Sequence, residues 1–509
     1  MEPQARPASD LSATGAPFGY LPAVDRSQAA LAWILSALML ALFLGFLDQT
    51  IVTTALSSMA RELDGWSSLS WVVAAYLVAA TVTTPIYGRL SDLHGRRPVL
   101  LAALALFIAA SALCALATSM TQLIAARVLQ GLGGGGLWSV SHAIAADVVP
   151  PRQRGRYQGY FSGVLALANM LGPVLGGACA AYLSWRWIFW INLPLGGIAL
   201  LLASRHLRAL PPPLRRPRID WLGGVLVLVA STSLLLGLAL AAEGGAWGAP
   251  GVLGWLALGG VGVAAVILWE GVAEEPLLPL RLFRSSIFSV ASAITFLALM
   301  VMLGLLVLMP LDYQLAGRLP ADAAGLRMLP ITCGTVLGSF AAGRRMSRTG
   351  RYRVFPLIGT AMAVLGCVLL AECGLGRSLL ADALITAALG LALGCLLSPL
   401  TVIVQNTLDQ RDLGIGMSCL MFWRLMGGAC GVALLSTILA GQLGGAAAEA
   451  LGGSALTGHA SAGTSAALLA AAGGMLRHAF SAAYLTAAGL LLLAFLLALA
   501  LEEIPLRSR

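Results

Sequence analysis

Two side chains of opposite charge, Asp48 and Arg127, each lie inside a long apolar run of this 509-residue chain. An ionised group in the hydrocarbon core of a bilayer costs several kcal/mol unless it faces a cavity or a partner. If the two runs cross a membrane in opposite directions, the two residues lie at comparable depth, at ~1.5 Å of rise per residue. The pair therefore predicts either a carboxyl group that binds and releases a proton beside an arginine, or a permanent ion pair that ties two helices together.

A second candidate for chemistry is the short turn GRLSDLHGRR, which joins two apolar runs and contains Gly88, Arg89, Asp92, Gly95 and Arg96. Gly88 and Asp92 are one helical turn apart, so the glycine permits close helix approach while the carboxylate reaches a neighbouring helix. A less regular copy, GRRMSRTGR, occupies residues 343–351 and has Ser347 where Asp92 stands. The repeat predicts a duplicated bundle with a weaker contact at the second copy. The alternative for either copy is an ordinary positively charged loop.

The elements that must position these residues follow from composition. Hydrophobic residues make up 59% of the chain and charged residues 10%, with a mean hydropathy of +0.88, which is typical of a protein in a bilayer. Lipid offers no partner to open backbone groups, so we expect an all-α integral membrane protein. A span needs roughly 20 apolar residues. This length divides the chain into about fourteen spans, at 30–56, 69–88, 98–117, 122–146, 158–182, 187–204, 221–241, 251–269, 287–311, 326–343, 354–372, 379–404, 415–439 and 479–501.

Charge predicts the orientation. The formal net charge is +9, and every basic residue apart from the histidines is an arginine. The arginines concentrate in alternate connections, which the positive-inside rule places in the cytoplasm together with both termini. The distribution of the positive charge therefore indicates how the helices are oriented in the membrane, and we expect no nucleic-acid partner. Eight cysteines without a CxxC pair indicate neither a disulfide framework nor a metal site.

Changes in composition predict five segments. Residues 1–29 form a cytoplasmic tail, 30–205 an N-terminal six-helix bundle, 286–502 a C-terminal six-helix bundle and 503–509 a second tail. Residues 206–285 hold the connection PPPLRRPR and two inserted linker helices. The Ala-, Gly- and Ser-rich stretch 441–474 is predicted to be a mobile loop.

With these features the chain resembles the major facilitator superfamily, specifically its fourteen-helix drug/proton antiporter branch. The resemblance covers residues 30–505 and is carried by GRLSDLHGRR together with LDQTIVTTAL (47–56), ARVLQGLGGG (126–135), GPVLGG (172–177), WRWIFWINLP (185–194) and IDWLG (219–223). Family membership implies two six-helix bundles, plus two linker helices, that rock around a central site. It also implies a proton gradient as the energy source, with no cofactor and no metal.

The resemblance assigns roles to two of these motifs. The Gly88–Arg97 turn would close the cytoplasmic side, with Asp92 at the N-terminus of span 13, where the helix dipole favours an anion. The second motif, with Gly172, Pro173, Gly176 and Gly177, is typical of exporters. Its small residues equally predict plain tight packing.

A third set of polar and aromatic residues is predicted to line a substrate cavity: Trp71, Tyr76, Gln130, Asn169, Gln405, Asn406 and Arg424. Arg424 lies deep in its span and needs a partner, for which Asn406, Gln405 and backbone carbonyls are candidates. Asp312, Glu372 and Asp382 lie near outer span ends, where we expect water to reach them. Tryptophans, Trp185 among them, cluster toward span ends as interfacial anchors.

The predicted function is proton-coupled antiport that exports lipophilic drugs or other toxic compounds by alternating access. The predicted location is the cytoplasmic (inner) membrane of a bacterium. Its partners would be a small lipophilic substrate, protons, membrane lipids and a periplasmic adaptor protein. One alternative is an exporter of a lipid, siderophore or other metabolite on the same scaffold. Another is a membrane-embedded transferase, which the five scattered histidines do not favour. The sequence has no Walker-type GxxxxGK[ST] motif, so no ATP site is expected to drive transport.

Overall fold

The computed structural model describes residues 28–63, 69–209, 220–242, 247–273, 276, 278–317, 319, 321–376, 378–409, 412–443 and 473–503. Most of both predicted tails, the PPPLRRPR connection and most of the predicted 441–474 loop lie outside these residues. The described part is helical and contains no strand. Its α-helices are α1 (Gln28–Leu63), α2 (Leu69–His94), α3 (Arg96–Ala115), α4 (Met120–Val148), α5 (Pro151–Tyr182), α6 (Trp187–Trp190), α7 (Asn192–His206), α8 (Trp221–Ala242), α9 (Pro250–Val272), α10 (Ser286–Leu315), α11 (Ala321–Leu326), α12 (Leu329–Thr349), α13 (Val354–Cys373), α14 (Leu379–Thr407), α15 (Leu413–Leu443) and α16 (Gly473–Leu499).

The all-helical fold predicted from composition is confirmed. Within the described residues, twelve helices are long and apolar enough to cross a membrane, with α6 and α7 counted as one span. The more polar helices α4 and α12 are of similar length and occupy two further predicted positions. The total of about fourteen agrees with the sequence.

Helix ends differ from the predicted span ends. The first helix continues to Leu63, and α5 begins at Pro151, where proline suits the first helical turn. Hydropathy marks only the apolar part of a helix, whereas backbone hydrogen bonding continues into the polar boundary. The sixth span is interrupted at Ile191, which nevertheless keeps helical backbone angles.

Buried apolar side chains form separate cores. One core comes almost entirely from α10–α16, and two others come from α1–α7. The linker helices α8 and α9 pack on each other, and α8 also packs on α2 and α15. Val227 and Ala230 of α8 share a cluster with Val78 of α2 and Phe422 of α15. The linker pair therefore contacts both halves of the chain.

The two halves contact each other mainly at one end of the molecule, which we call the arginine-rich end. At this end α2, α4 and α12 finish, and α3, α5 and α15 begin. The backbones of Gly155 in α5 and Gly343 in α12 touch, and a Cβ on either glycine would collide with the other. Arg154 Nη1 donates to the Gln405 carbonyl of α14 at 3.0 Å. Gly88 of α2 lies against Ser418 of α15. These contacts close the molecule at the arginine-rich end.

Candidate proton-coupling site

Asp48 and Arg127 form a fully buried ion pair. Their exposed fractions are 0% and 1%, and Arg127 Nη1 donates to Asp48 Oδ2 at 2.5 Å. Asp48 lies in the middle of α1, and Arg127 lies in the third turn of α4. The depth argument from sequence therefore placed the two side chains correctly.

Three further polar side chains complete the cluster around Asp48. Gln130 Nε2 and Asn192 Nδ2 donate to Asp48 Oδ1 at 2.8 and 3.0 Å. The Ser111 hydroxyl oxygen accepts from Gln130 at 2.7 Å and from Asn192 at 3.3 Å. The carboxylate thus connects α1 with α3, α4 and α7. Hydrogen bonds to the ionised form stabilise it against the cost of burial.

Sequence reasoning missed Asn192 and Ser111. Asn192 stands inside the quoted WRWIFWINLP motif, and its amide, placed in an apolar span, was the available signal. Ser111 carried no signal, because an isolated serine in a membrane helix usually bonds its own backbone.

Arg127 is fixed from the other side by α2. Its Nε donates to the Val72 carbonyl at 3.1 Å, and its Cζ lies 4.3 Å from the centroid of the Tyr76 ring. Gly131 and Gly134 allow this approach, since a Cβ on either would collide with Tyr76. Tyr76 is fully buried here. The prediction that it lines a substrate cavity is therefore wrong for this conformation.

The chemistry available to the cluster follows from its geometry. Ionised Asp48 is compensated by one guanidinium and two amide donors, and none of these groups reaches water. Protonation of Asp48 would remove the Coulomb attraction to Arg127 and leave the arginine buried without a counter-charge. A proton on Asp48 would thus favour any conformation in which Arg127 is solvated or paired elsewhere.

The GRLSDLHGRR turn forms a contact between the halves. Asp92 Oδ2 accepts from the Ile415 backbone N–H in the first turn of α15 at 3.0 Å, the placement that the resemblance implied. Asp92 Oδ1 also pairs with Arg96 at 2.5 Å, and Arg96 Nε donates to Asp147 Oδ2 at 2.9 Å. We call Asp92, Arg96 and Asp147 with the start of α15 the latch.

Glycines and the remaining arginine of the turn have distinct positions. Gly88 faces Gly414 and Ser418, so a side chain there would push α15 away. Gly95 has φ of 91°, a conformation that favours glycine, and it allows the sharp break between α2 and α3. Arg89 lies in the last two turns of α2.

The second copy of the turn lacks an equivalent latch among the described residues. Ser347 donates to the Gly343 carbonyl of its own helix at 2.8 Å. The approach of Gly343 to Gly155 is the contact that α12 makes there instead. The predicted weakness of the second copy agrees with this arrangement.

The GPVLGG motif packs α5 onto α1, the helix that carries Asp48. Thr50 Oγ1 donates to the Ala168 carbonyl at 3.1 Å, and Gly172 and Gly176 lie against Thr50 and Thr54. Gly177 faces open space and takes no part in this contact. Pro173 lies within the same helix, α5.

The other predicted cavity residues divide into two groups. Gln130, Gln405 and Asn406 are buried, so these three do not line an open cavity in this conformation. Trp71 is 40% exposed, and Asn169 and Arg424 are half-buried. Of these, only Trp71, Asn169 and Arg424 remain accessible as cavity candidates.

Arg424 differs from the prediction in its partners. Its guanidinium donates to Met421 Sδ at 3.8 Å and to neither Gln405 nor Asn406. Within the described residues no carboxylate lies within 4.0 Å of it. His142 of α4 lies within electrostatic range. Arg424 therefore presents an uncompensated positive charge between α15 and α4.

Two outer acids and one tryptophan are buried, contrary to prediction. Asp312 and Asp382 are 2% and 3% exposed, because helices α10, α14 and α16 surround them, whereas Glu372 is exposed as expected. Trp185 is 2% exposed and donates to Glu62 Oε2 at 2.7 Å. Arg186 bonds the same carboxylate and holds the pKa of Glu62 below its usual range.

Comparison with known proteins supplies independent information. A family model described as Major Facilitator Superfamily matches residues 38–432. An uncharacterized MFS-type transporter of Mycobacterium tuberculosis is 36% identical over 405 residues, which is 80% of this chain and 59% of that relative. The chain thus spans under two thirds of that relative's length. The multidrug transporter protein MdtP of Bacillus subtilis is 34% identical, over 82% of this chain and 76% of its own.

Solved structures share the fold. The human organic anion transporter TETRAN has a TM-score of 0.63 at 19% identity, with 92% of this chain and 99% of that chain covered. The proton:xylose symporter XylE has a TM-score of 0.61 at 13% identity, with 92% and 95% covered.

Proposed function

Because the chain belongs to the major facilitator superfamily, we propose that it is a proton-coupled antiporter that exports lipophilic compounds from a bacterium by alternating access. The observation that carries the proposal is the buried Asp48–Arg127 pair, joined through Gln130 and Asn192 to four helices of one half. A carboxylate so placed changes the balance between conformations when it gains a proton. Relatives named as multidrug transporters support export of toxic compounds.

The proposed cycle starts from the conformation described above, closed at the arginine-rich end. We take that end, and both termini, as cytoplasmic, because arginines concentrate there. A proton from the outside neutralises Asp48, frees Arg127 and favours opening of the latch toward the cytoplasm. Substrate binding in the inward-facing state and proton release complete the exchange, since both ligands bias one equilibrium.

The proposed substrates are lipophilic and neutral, weakly acidic or monocationic. Residues 329–342 of α12 contain no acid that would pair with a second positive charge. The uncompensated Arg424 also opposes a dication in the space between the halves. A lipid, siderophore or other metabolite fits the same description, and a periplasmic adaptor stays a proposal.

The test is export driven by an imposed pH gradient in everted membrane vesicles, with Asp48→Asn compared with wild type. We expect the variant to insert and fold, because asparagine keeps the shape of the carboxyl group, yet to lose gradient-driven export. Glu372→Gln is the matched control, since Glu372 is an exposed carboxylate outside the cluster. Normal driven export by Asp48→Asn would contradict the proposal.

A further inference from the structure

A second buried carboxyl group, Asp312, lies in the other half of the molecule. It stands in the last turn of α10, at the end opposite the arginine-rich end, and is 2% exposed. The Tyr484 hydroxyl of α16 donates to its Oδ2 at 2.8 Å. Within the described residues no basic side chain lies within 4.0 Å of it. In contrast to Asp48, Asp312 therefore has no positive partner among the residues that the structure describes.

A second carboxyl group, Asp382, lies within electrostatic range of Asp312. Asp382 has a basic partner, because Arg327 donates to its Oδ2 at 2.8 Å, and the Gly376 backbone N–H donates to the same oxygen at 3.0 Å. If both carboxyl groups were ionised, Asp312 would add an uncompensated negative charge beside Asp382 in an apolar core, which is unfavourable.

The residue that follows Asp312 has a buried hydroxyl without a hydrogen-bond partner. Tyr313 is fully buried, and its hydroxyl has no hydrogen-bond partner. It lies within electrostatic range of Asp312, Asp382 and Tyr484, and its ring faces the Arg327 guanidinium. A buried hydroxyl without a hydrogen-bond partner is unusual in a native structure and is a mark of functional sites.

Among the described residues, the titratable or charged groups that act on Asp312 come from its own helix and from the elements packed around it. They are Tyr313, Asp382, Arg477 and Tyr484. Arg477 is exposed and acts only at a distance. The described residues contain no group of three or more His, Cys, Asp or Glu side chains that could hold a metal ion, so the chemistry here favours H⁺.

We propose that Asp312 is a second proton-binding site, in which the carboxylate and one H⁺ form a neutral carboxylic acid between α10 and α16. The proton comes from the side opposite the arginine-rich end, where the residue lies. With Asp48, the chain then has one proton-binding carboxyl in each half. Only the further step, that this proton contributes to transport stoichiometry, rests on the proposed function.

The test is infrared spectroscopy of the purified full-length chain in lipid nanodiscs at neutral pH. We expect a carbonyl stretch of a protonated carboxylic acid that is lost in Asp312→Asn and kept in Asp48→Asn and in the control Glu372→Gln. Tyr484→Phe should retain the band at higher frequency, because the carboxyl group loses a hydrogen bond. This variant keeps the test valid if Asp312→Asn misfolds.

Two results would overturn the inference. One is a carboxylic-acid band that is unchanged by Asp312→Asn. The other is a band that disappears when choline in the buffer is replaced by Na⁺, which would assign the site to a metal cation. Neither result depends on transport, so they are distinct from a failure of the Asp48→Asn export assay, which would contradict only the proposed function.

Discussion

Hydrogen bonds join the polar side chains around Asp48, and the cluster shows which contacts sequence can predict. Depth along two helices was sufficient to pair Asp48 with Arg127, because rise per residue is nearly constant. Asn192 and Ser111 could not be placed in the same way, since their contact depends on how α7 and α3 are rotated about their axes. That rotation is set by packing against neighbouring helices.

We expect Asn192→Leu to weaken coupling while the fold is kept. Leucine has the branched shape of asparagine but removes a donor from ionised Asp48, and a hydrogen bond to a charged group contributes about 1.5–3 kcal/mol. Gradient-driven export should therefore fall roughly tenfold or more, at about 1.4 kcal/mol per factor of ten. Initial export rates in everted vesicles measure this change.

Gln122→Leu is the matched control for this substitution. Gln122 is an exposed residue at the start of α4, away from the Asp48 cluster, and its amide oxygen accepts hydrogen bonds from Thr118. If both variants lost the same activity, the effect would come from removal of a membrane amide in general, and Asn192 would have no particular role.

At the scale of helices, the arginine-rich end is closed by pairs of small residues. Sequence predicted the helices and their small-residue stripes, since period and hydropathy are local properties. It did not predict the contact between Gly155 and Gly343. A stripe of small residues shows which face of a helix packs closely, but it does not show which other helix packs against that face. Gln405 and Asn406 were predicted to line a cavity but are buried in this conformation. Sequence could not show this, because the burial of a side chain depends on how all the helices of the bundle pack.

We expect Gly155→Ala to open the arginine-rich end. The added Cβ would collide with the Gly343 backbone, which cannot yield as a side chain would. A shift of the two-state equilibrium by 1–3 kcal/mol, typical of overpacking, would change the ratio of the two populations by about 5- to 150-fold. Distances between spin labels on the ends of α5 and α12, measured by pulsed electron resonance, report the change.

Gly163→Ala is the matched control, because the same interface has space for its added Cβ. Its nearest neighbour across the interface, Val336, would be 4.0 Å from the new Cβ, an ordinary contact. The label distances should match wild type in this variant. Equal opening by both variants would show that helix flexibility in α5, and not the glycine contact, controls closure.

At the scale of the whole molecule, the carboxylates Asp92 and Asp48 belong to the same half but contact different neighbours. Asp92 joins that half to α15, whereas Asp48 contacts only helices of its own half. The family resemblance placed Asp92 correctly because the contact depends on a helix N-terminus, which a motif can mark. The predicted domain boundaries stay predictions.

We expect Asp92→Asn to favour the conformation that is open at the arginine-rich end. Asparagine loses the charge that attracts Arg96 and the α15 N-terminus, and a charge at a helix N-terminus contributes about 0.3–2 kcal/mol. Labels on the ends of α2 and α15 should separate in a larger fraction of molecules. Asp220→Asn is the control, because Asp220 caps α8 and bonds Trp269 away from this contact. An unchanged distance distribution in Asp92→Asn would remove the latch from the closing mechanism.

The position of α8 determines which line of contact between the two halves is covered toward the membrane. On one flank of the protein, α8 lies over the line where α2 meets α15, and Val227 and Ala230 fill it. On the other flank, in the part of the chain that the structure describes, neither linker helix packs closely against α5 or α12. If the chain exports lipophilic compounds as we propose, a compound from the membrane leaflet would enter between α5 and α12 once these two helices separate, because α8 covers the line between α2 and α15.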